Sequence, residues 1–152
     1  MSTATVVLGL SAKLYRNTGT YDTPTWQEIT LVKDVKLTLS KGEADATTRA
    51  AGGWKQSVAT LKEASLELEL VWDPSDQSLT ALRDAYLNNT PVDLAVMDGP
   101  MQPGTGKTSQ GLRALWDVFS FDRNEPLEEV LTVSVTLKPT YGAAPTWHTV
   151  TG

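Results

Sequence analysis

Hydrophobic and polar residues alternate along most of the chain, and this period of two predicts a largely β structure. In the clearest stretch, 65–72, apolar side chains occupy every even position: Leu66, Leu68, Leu70 and Trp72. Successive side chains of a strand point to opposite faces, so this strand is expected to bury one face and expose the other. Comparable alternation predicts strands over 34–40 and 129–138, and weaker alternation predicts strands over 12–16, 26–31, 92–97 and 112–121.

The segment 112–121 shows a change of parity. Trp116 and Val118 share one face of the predicted strand, whereas Phe119 and Phe121 share the other. One extra residue in one strand of an antiparallel pair produces such a shift. The pattern therefore predicts either a β-bulge in this strand or burial of both its faces.

Residues 73–89 depart from the alternation and predict one helix. Asp73 is a suitable N-cap, Pro74 suits the first helical position, and Asp76 places a carboxylate in the first turn. Apolar residues then recur at helical spacing: Leu79, Leu82 and Tyr86. The sequence Asn-Asn-Thr-Pro at 88–91 is a stop signal. We therefore expect a helix of about four turns that lies over the core of the sheet.

Two glycine-rich segments, 41–56 and 99–111, offer little to bury. Ordering a residue costs roughly 1–2 kcal/mol of backbone entropy, and a fully buried leucine returns about 1.5–3 kcal/mol. Segment 41–56 contains one large apolar side chain, Trp54. We therefore expect a long extended loop over about 40–57 that is mobile in the isolated chain and is ordered by a partner. The whole chain is interpreted as a single domain, 1–152, with flexible terminal segments at 1–10 and 141–152.

The composition narrows the classes of function. The chain has 152 residues, enough for one domain with a substantial core, and its 18 Asp and Glu against 13 Lys and Arg give a net charge of −5. The absence of cysteine excludes disulfides, thiolate catalysis and Cys-based zinc sites, and a single histidine excludes a His-based metal site. The acidic balance argues against a surface that grips nucleic acid. No apolar run approaches the roughly 18 residues of a membrane span.

Three patterns could carry chemistry, and each has a simpler interpretation. Residues 104–108, Gly-Thr-Gly-Lys-Thr, resemble the end of a phosphate-binding loop, but Met101 stands where that motif needs glycine, and strand-like residues follow where it needs a helix. Glu67 and Glu69 are spaced like the carboxylates of a glycosidase, but a solvated strand face gives the same spacing. His148 lies in a terminal segment expected to be flexible, where a general base is poorly positioned. We therefore predict no enzyme activity, no cofactor and no metal, with nucleotide binding at 104–108 as an alternative.

Four of the five tryptophans divide into two groups with different expected roles. Trp72 and Trp116 lie in predicted strands and are expected in the core. Trp54 and Trp147 lie in polar segments, where large aromatic side chains are typical anchors of interfaces. We expect these two to contact other subunits. A stand-alone β-sandwich that binds a ligand through Trp54 or Trp147 is the alternative from another class of function.

The order of predicted elements resembles a known family. A strand at 34–40 precedes the long loop, a strand at 63–72 and a helical segment in the run W-D-P-S-D-Q-S-L-T-A-L-R-D-A-Y, and then come a strand, a flexible loop and two closing strands. This pattern, over roughly residues 11–139, is similar to the major tail (tail tube) protein of long-tailed bacteriophages. Inner-tube subunits of contractile injection and type VI secretion systems share that fold, and such a subunit is the alternative.

The resemblance implies a mainly β fold, an antiparallel β-sandwich or half-barrel with one flanking helix. It also implies a structural virion protein: six subunits form a ring, rings stack into the phage tail tube, and DNA passes through the tube when it is ejected into the host. The implied partners are further copies of the chain, a tape-measure protein, tail terminator and tip proteins, and double-stranded DNA in transient, non-specific passage. The resemblance implies assembly in the host bacterial cytoplasm and no membrane partner.

Three sets of residues are candidates for the surfaces of such a tube. The candidate lumen lining is one polar strand face: Glu67, Glu69, Lys36 and Thr38. The candidate inter-ring contact is the long loop: Lys41, Gly42, Thr47, Thr48, Arg49, Gly52, Gly53 and Trp54. Two further candidates for contacts between subunits are Lys107 and Trp147. An acidic lumen repels phosphate, which would let DNA pass without adhering.

Overall fold

Eight strands and one α-helix account for most of the chain in the computed structural model, which describes residues 12–125, 127–141 and 143–152. In chain order the elements are β1 (Lys13–Asn17), β2 (Trp26–Glu28), β3 (Val32–Asp45), β4 (Ser57–Val71), α1 (Gln77–Asn88), β5 (Val92–Met97), β6 (Thr108–Asn124), β7 (Thr132–Pro139) and β8 (Thr146–Thr151). The prediction of a mainly β fold with one helix is confirmed. Among the described residues, no helix combines the length and the hydropathy needed to cross a bilayer.

All strands belong to one antiparallel sheet with the order β2-β1-β5-β6-β7-β4-β3. Strand β6 organises it, because β5 pairs along one edge of β6, while β8 and β7 follow each other along the opposite edge. The sheet is strongly curled: three strands separate β2 from β8, yet the rings of Trp26 and His148 lie 6.0 Å apart. The result is an open, curved sheet rather than a closed barrel.

The two faces of this sheet carry different cores. The larger core lies between the sheet and α1, where Leu79, Leu82 and Ala85 of the helix are buried against strand residues such as Leu66 and Leu94. A smaller core lies on the opposite face and centres on three residues: Tyr15, Ala95 and Met97. A single sheet can bury apolar residues on both faces only where it curls or receives a covering element, and here the curl provides the second cover.

The two tryptophans predicted for the core differ in depth. Trp116 is fully buried, and its indole Nε1–H donates to the carbonyl oxygen of Leu94 at 3.1 Å, which satisfies its one polar atom. Trp72 is half-buried at the margin of the larger core, with the Arg123 guanidinium 5.2 Å from its ring centroid. The core prediction is therefore confirmed for Trp116, whereas Trp72 lies at the edge of the core.

The parity change in β6 is a bulge. The pairing of β6 with β7 runs in register as far as Val118 opposite Leu137, shifts by one residue, and resumes with Ser120 opposite Thr136. Phe119 occupies the extra position and is exposed, whereas Phe121 packs against the larger core. The bulge therefore lets Val118 and Phe121, which have opposite parity in the sequence, both pack against the larger core.

The helix begins later than the sequence pattern predicts. Asp76 is the N-cap, and its carboxylate accepts a hydrogen bond from the Leu79 amide at 3.0 Å. Asp73 instead accepts from the amide and hydroxyl of Ser75 in the turn before the helix. The helix ends at Asn88, and the C-cap residue Asn89 adopts a left-handed conformation with φ 55°. Asp73 and Asp76 are both suitable N-cap residues, and the prediction that Asp73 is the cap is wrong.

We expect Asp76→Ala to lower the free energy of unfolding by about 1 kcal/mol, the usual loss for an N-cap carboxylate. The matched variant Asp73→Ala should cost less, because it leaves the cap in place. Urea denaturation of the two variants measures the difference. Equal losses, or a larger loss for Asp73→Ala, would contradict the observed start of α1.

The predicted loop at about 40–57 is instead a long β-hairpin, and this is the main correction to the sequence analysis. Strands β3 and β4 pair from Val32 opposite Leu70 out to Asp45 opposite Ser57, so irregular backbone is confined to residues 46–56. Cross-strand hydrogen bonds satisfy the backbone without burying side chains, and for that reason a polar, glycine-containing sequence can still continue two strands that begin in the core. We call residues 38–63 the arm and residues 46–56 the arm tip.

The second difference concerns the C-terminal segment. Residues 141–152 were expected to be flexible, but Thr146–Thr151 form β8 and pair with Thr108–Arg113 of β6. The segment is rich in threonine, valine and tryptophan, which favour strands. The expected flexible segment at 1–10 lies outside the described residues.

Candidate assembly surfaces

The candidate lumen residues lie on one continuous polar face. Lys36 in β3 is directly opposite Glu67 in β4, and Glu67 is opposite Thr136 in β7, which is opposite Ser120 in β6. A second row runs beside the first: Asp34, Glu69, Ser134 and Asp122. Thr38 continues the face opposite Ser65. The register therefore brings the four predicted residues together on the side of the sheet opposite to the larger core.

The apolar face of β3 is only partly covered by the rest of the subunit. Val35, Leu37 and Leu39 lie opposite Leu68, Leu66 and Ala64, on the same side as the larger core. Leu37 packs against that core, but Val35 is 38% exposed and Leu39 is 54% exposed. Strand β3 is the edge of the sheet, so apolar surface and backbone hydrogen-bonding groups are both open there.

The arm extends beyond the rest of the fold. The side chains of residues 38–50 and 52–63 are all exposed, including Trp54 at 77%. Within the arm, Lys41 lies directly opposite Lys62, a like-charge pair that disfavours the hairpin in isolation. A hairpin with these properties gains little from its own subunit, since its described side chains are exposed and the Lys41–Lys62 pair is unfavourable.

The arm tip nevertheless has a defined shape. The Thr47 side chain and, to a smaller extent, the Thr47 amide, which donates to the Asp45 carboxylate at 2.9 Å, lower the pKa of Asp45. The Thr47 hydroxyl in turn accepts from the Gln56 amide at 2.9 Å. Gly52 and Gly53 have φ of 63° and 89°, a backbone region in which glycine is strongly favoured. These contacts hold Thr48, Arg49 and Trp54 in an ordered turn with their side chains facing solvent.

The remaining two candidates lie near the start of β6. Trp147 of β8 is 56% exposed, and its indole Nε1–H donates to Gln110 Oε1 at 3.0 Å. Lys107 is exposed in the turn before β6, where its amide donates to the Gly104 carbonyl at 3.2 Å. Because strand β6 begins at Thr108, where a phosphate-binding loop would need a helix N-terminus, the nucleotide-binding alternative lacks its required geometry.

A buried charge cluster on the second face was missed by the sequence analysis. Arg113 of β6 is bidentate to Asp93 of β5, with Nη2 to Oδ2 at 2.7 Å and Nε to Oδ1 at 3.2 Å, and both residues are buried. Asn17 adds a third donor to Asp93 at 3.0 Å. The Arg113 guanidinium also contacts the rings of Tyr21 at 4.1 Å and Trp26 at 4.8 Å.

This cluster fixes the β1–β2 loop on the sheet. Arg113 Nη2 donates to the carbonyl of Tyr21 at 2.9 Å, and the Asn17 side chain accepts from the amides of Gly19 and Thr25. The hydrogen bonds with Asp93 raise the pKa of Arg113 above its ordinary value, against an opposing effect of burial. A signal was present in the sequence: Asp93 interrupts the apolar run V-D-L-A-V-M, and a charge buried in a strand needs a partner.

The single histidine makes stability depend on pH. Burial lowers the pKa of His148 below its ordinary value of 6.5, and the Arg113 cation lowers it further, against a smaller opposing effect of Asp93. The unfolded chain therefore binds the proton more tightly than the folded chain does. The stability that neutral His148 contributes is fully present above pH 6.5 and is lost as the pH falls toward the lower pKa of the folded state. We expect His148→Gln to remove that loss in thermal denaturation measured on both sides of pH 6.5. A variant with an unchanged pH profile would contradict this role.

Comparisons with known proteins agree with this architecture. A model of the phage tail tube protein family matches residues 11–140. No curated protein matches the chain. Among solved structures, the tail of an empty gene transfer agent particle, refined with C6 symmetry, has a TM-score of 0.69 at 13% identity and covers 93% of this chain and 99% of its own.

Two further structures extend the comparison. The SPP1 tail tube has a TM-score of 0.71 at 13% identity and covers 94% of this chain and 80% of its own. The sheath–tube complex of PVC, an extracellular contractile injection system, has a TM-score of 0.63 at 11% identity and covers 98% and 100%. At these identities the likeness establishes a shared fold, whereas the family match covers most of the chain. The chain therefore belongs to the phage tail tube protein family, and its role is that of a structural tail subunit, not of an enzyme.

Proposed function

We propose that six copies of this chain form a ring and that rings stack into the tube through which phage DNA is ejected. The observation that carries the proposal is the arm, a paired hairpin whose side chains are exposed along its whole described length. Backbone pairing orders this hairpin, but its described side chains are not buried in its own subunit, so a neighbouring subunit is the natural source of further stabilisation. The C6 symmetry of the gene transfer agent tail supports a ring of six.

Contacts within the tube follow from the exposed surfaces. The arm reaches a neighbouring ring through Lys41, Gly42, Thr47, Thr48, Arg49, Gly52, Gly53 and Trp54. Lys107, in the turn before β6, and Trp147 in β8, opposite Leu112 of β6, contact the adjacent subunit of the same ring. Closing the ring also covers the open edge of β3, which removes an aggregation hazard.

The polar face lines the channel in this proposal. Lys36, Thr38, Glu67 and Glu69 share that face with two further acidic residues, Asp34 and Asp122. The net charge of −5 on each chain amounts to about −30 on a ring of six, part of which faces the channel. A wall that repels phosphate favours rapid, non-specific passage of double-stranded DNA.

The position of the polar face can be tested by labelling, because the chain contains no cysteine. Glu67→Cys places one thiol on the polar face, and Arg83→Cys places one on the exposed side of α1 as a control. In assembled tubes we expect a bulky maleimide to label residue 83 and to be excluded from residue 67, while both positions react in the dissociated subunit. Equal labelling of residue 67 before and after assembly would contradict a lumenal position.

Further partners follow from the same role. We propose that the tube encloses a tape-measure protein, joins terminator and tip proteins at its ends, and is assembled in the cytoplasm of the bacterial host before it becomes part of the virion. Solved neighbours of the same fold include a sheath/tube terminator of a contractile injection system and a tube-terminating cap of the anti-feeding prophage.

The inner tube of a contractile system is the second candidate, favoured by the match to the PVC tube. A sheath gene beside the gene for this chain would support it.

Electron microscopy of the concentrated protein tests the central proposal. We expect rings with six-fold symmetry and tubes that lengthen as the protein concentration rises, with sedimentation reporting the assembled fraction. A protein that sediments as a monomer at every concentration, with and without tail extract as an initiator, would overturn it.

A further inference from the structure

We propose that the arm tip of one subunit docks on the β6–β7 loop of a subunit in the next ring. This inference rests on the proposed function, and it adds the acceptor surface. We call residues 125 and 127–131 the acidic loop. Two observations identify it as the acceptor: its position at the far end of the molecule from the arm tip, and its chemical complementarity to that tip.

The two surfaces lie at opposite ends of strand β4. Strand β4 leaves the arm tip at Ser57 and ends at Val71, which is paired with Thr132 at the start of β7. The amide of Trp72 then donates to the carbonyl of Leu131 at 2.9 Å, which fixes the acidic loop beside that end of β4. At about 3.3 Å per residue, roughly 45 Å separates the two surfaces along the strand direction.

The charges of the two surfaces are opposite. The arm tip carries Arg49 and Lys55 and no acidic residue. The acidic loop carries three glutamates and no basic residue, and Glu125 is already paired with Arg123 at 2.7 Å. Neither Glu128 nor Glu129 forms an ion pair with another of the described residues. Two basic side chains at one end therefore correspond to two available carboxylates at the other.

Both surfaces also expose apolar side chains. Trp54 is the largest exposed side chain of the arm tip, and the acidic loop exposes Leu127 completely and Val130 at 64%. Exposed apolar residues beside charged ones are typical of contact sites, and tryptophan is among the residues most often found to dominate binding energy. The charges would steer the approach, and burial of Trp54 against Leu127 and Val130 would hold the contact.

Complementary surfaces at opposite ends of one molecule generate an open, repeating assembly. A head-to-tail contact of this kind leaves one unused tip and one unused acidic loop at the two ends of any stack, so each added ring recreates the site for the next. The same contact gives the stack a direction, with arm tips exposed at one end and acidic loops at the other.

Charge reversal tests the contact. We expect Arg49→Glu with Lys55→Glu to lower the sedimenting tube fraction by about tenfold or more, and Glu128→Lys with Glu129→Lys to do the same. All four substitutions together restore opposite charges and should restore tubes. Arg83→Glu on α1 is the control, since it changes the net charge at neither surface. Circular dichroism checks that each variant keeps the fold, and electron microscopy distinguishes unstacked rings from subunits.

The outcomes separate this inference from the proposed function. If the wild-type chain forms tubes and the reversed variants stack equally well, the acceptor assignment is wrong and the tube function stands. If each reversal blocks stacking but the variant with all four substitutions also fails to form tubes, the two surfaces do not meet and the assignment is again wrong. If the wild-type chain never assembles, both proposals fail together.

Discussion

Replacing Asp93 with alanine is expected to lower the free energy of unfolding by about 3–5 kcal/mol. The substitution removes the acceptor of three hydrogen-bonding groups and leaves the Arg113 guanidinium buried without its counter-ion. The contacts of Arg113 with Tyr21 and Trp26 compensate only in part, since a cation over an aromatic ring contributes less than a buried carboxylate. Chemical denaturation at neutral pH measures the loss.

The matched control is Asp84→Ala. Asp84 also pairs with an arginine, Arg83 Nη2 at 3.2 Å, but both side chains are about half exposed. Exposed ion pairs contribute about 0–1 kcal/mol, so the same chemical change should be almost neutral there. Equal effects at the two positions would mean that the Arg113–Asp93 pair is not an essential support of the second face. We also expect Asp93→Asn to fall between the two alanine variants, because the amide keeps one acceptor oxygen.

The strands of the core could be predicted from the sequence because their side chains encode the environment. In 65–72, every even position is apolar, and the buried residues Leu66, Leu68 and Leu70 are the ones that this period selects. The parity change in β6 was informative for the same reason, since apolar residues on both faces of a strand require either a bulge or two cores. In the structure the bulge after Val118 accounts for the change, since Phe121 beyond it packs against the larger core.

The arm could not be predicted in the same way, because its pairing does not depend on burial. Its sequence supplies glycine, alanine, threonine and charged residues, which carry no amphipathic period. What orders the arm is the register already set by Val35 opposite Leu68 and Leu37 opposite Leu66. The backbone ladder continues outward from there, with one register shift after Lys41. Local composition gives little information about a strand that is formed by extension of its neighbour.

The Arg113–Asp93 pair shows a different limit. Each residue interrupts an apolar run, V-D-L-A-V-M in β5 and G-L-R-A-L-W in β6, and such interruptions indicate a buried polar contact. Which residues meet depends on the register of β5 against β6 and on the β1–β2 loop that folds over them. The sequence could therefore indicate that each charge needs a partner, but not the partner itself.

Removing the arm should separate folding from assembly. Replacing residues 42–61 with Asn-Gly joins Lys41 to Lys62, which are directly opposite each other, through a two-residue turn suited to a hairpin. Because the side chains described in this segment, 42–50 and 52–61, are exposed, we expect the free energy of unfolding to change by less than about 1 kcal/mol. The subunit should remain folded and fail to form tubes at any concentration at which the wild-type chain assembles.

A single substitution within the intact arm refines this result. Trp54→Ser removes the one large apolar side chain of the arm tip and is expected to weaken stacking by about 2–4 kcal/mol per contact if Trp54 anchors the interface. Tyr86→Ser, which removes an exposed aromatic side chain from α1 outside the arm, is the control and should assemble normally. Sedimentation gives the critical concentration of each variant. Two results for the variant that lacks residues 42–61 would contradict this division of roles: tubes that still form, or a subunit that no longer folds. The sheet and α1 should stabilise the subunit, and the arm should serve only its contacts with neighbouring subunits.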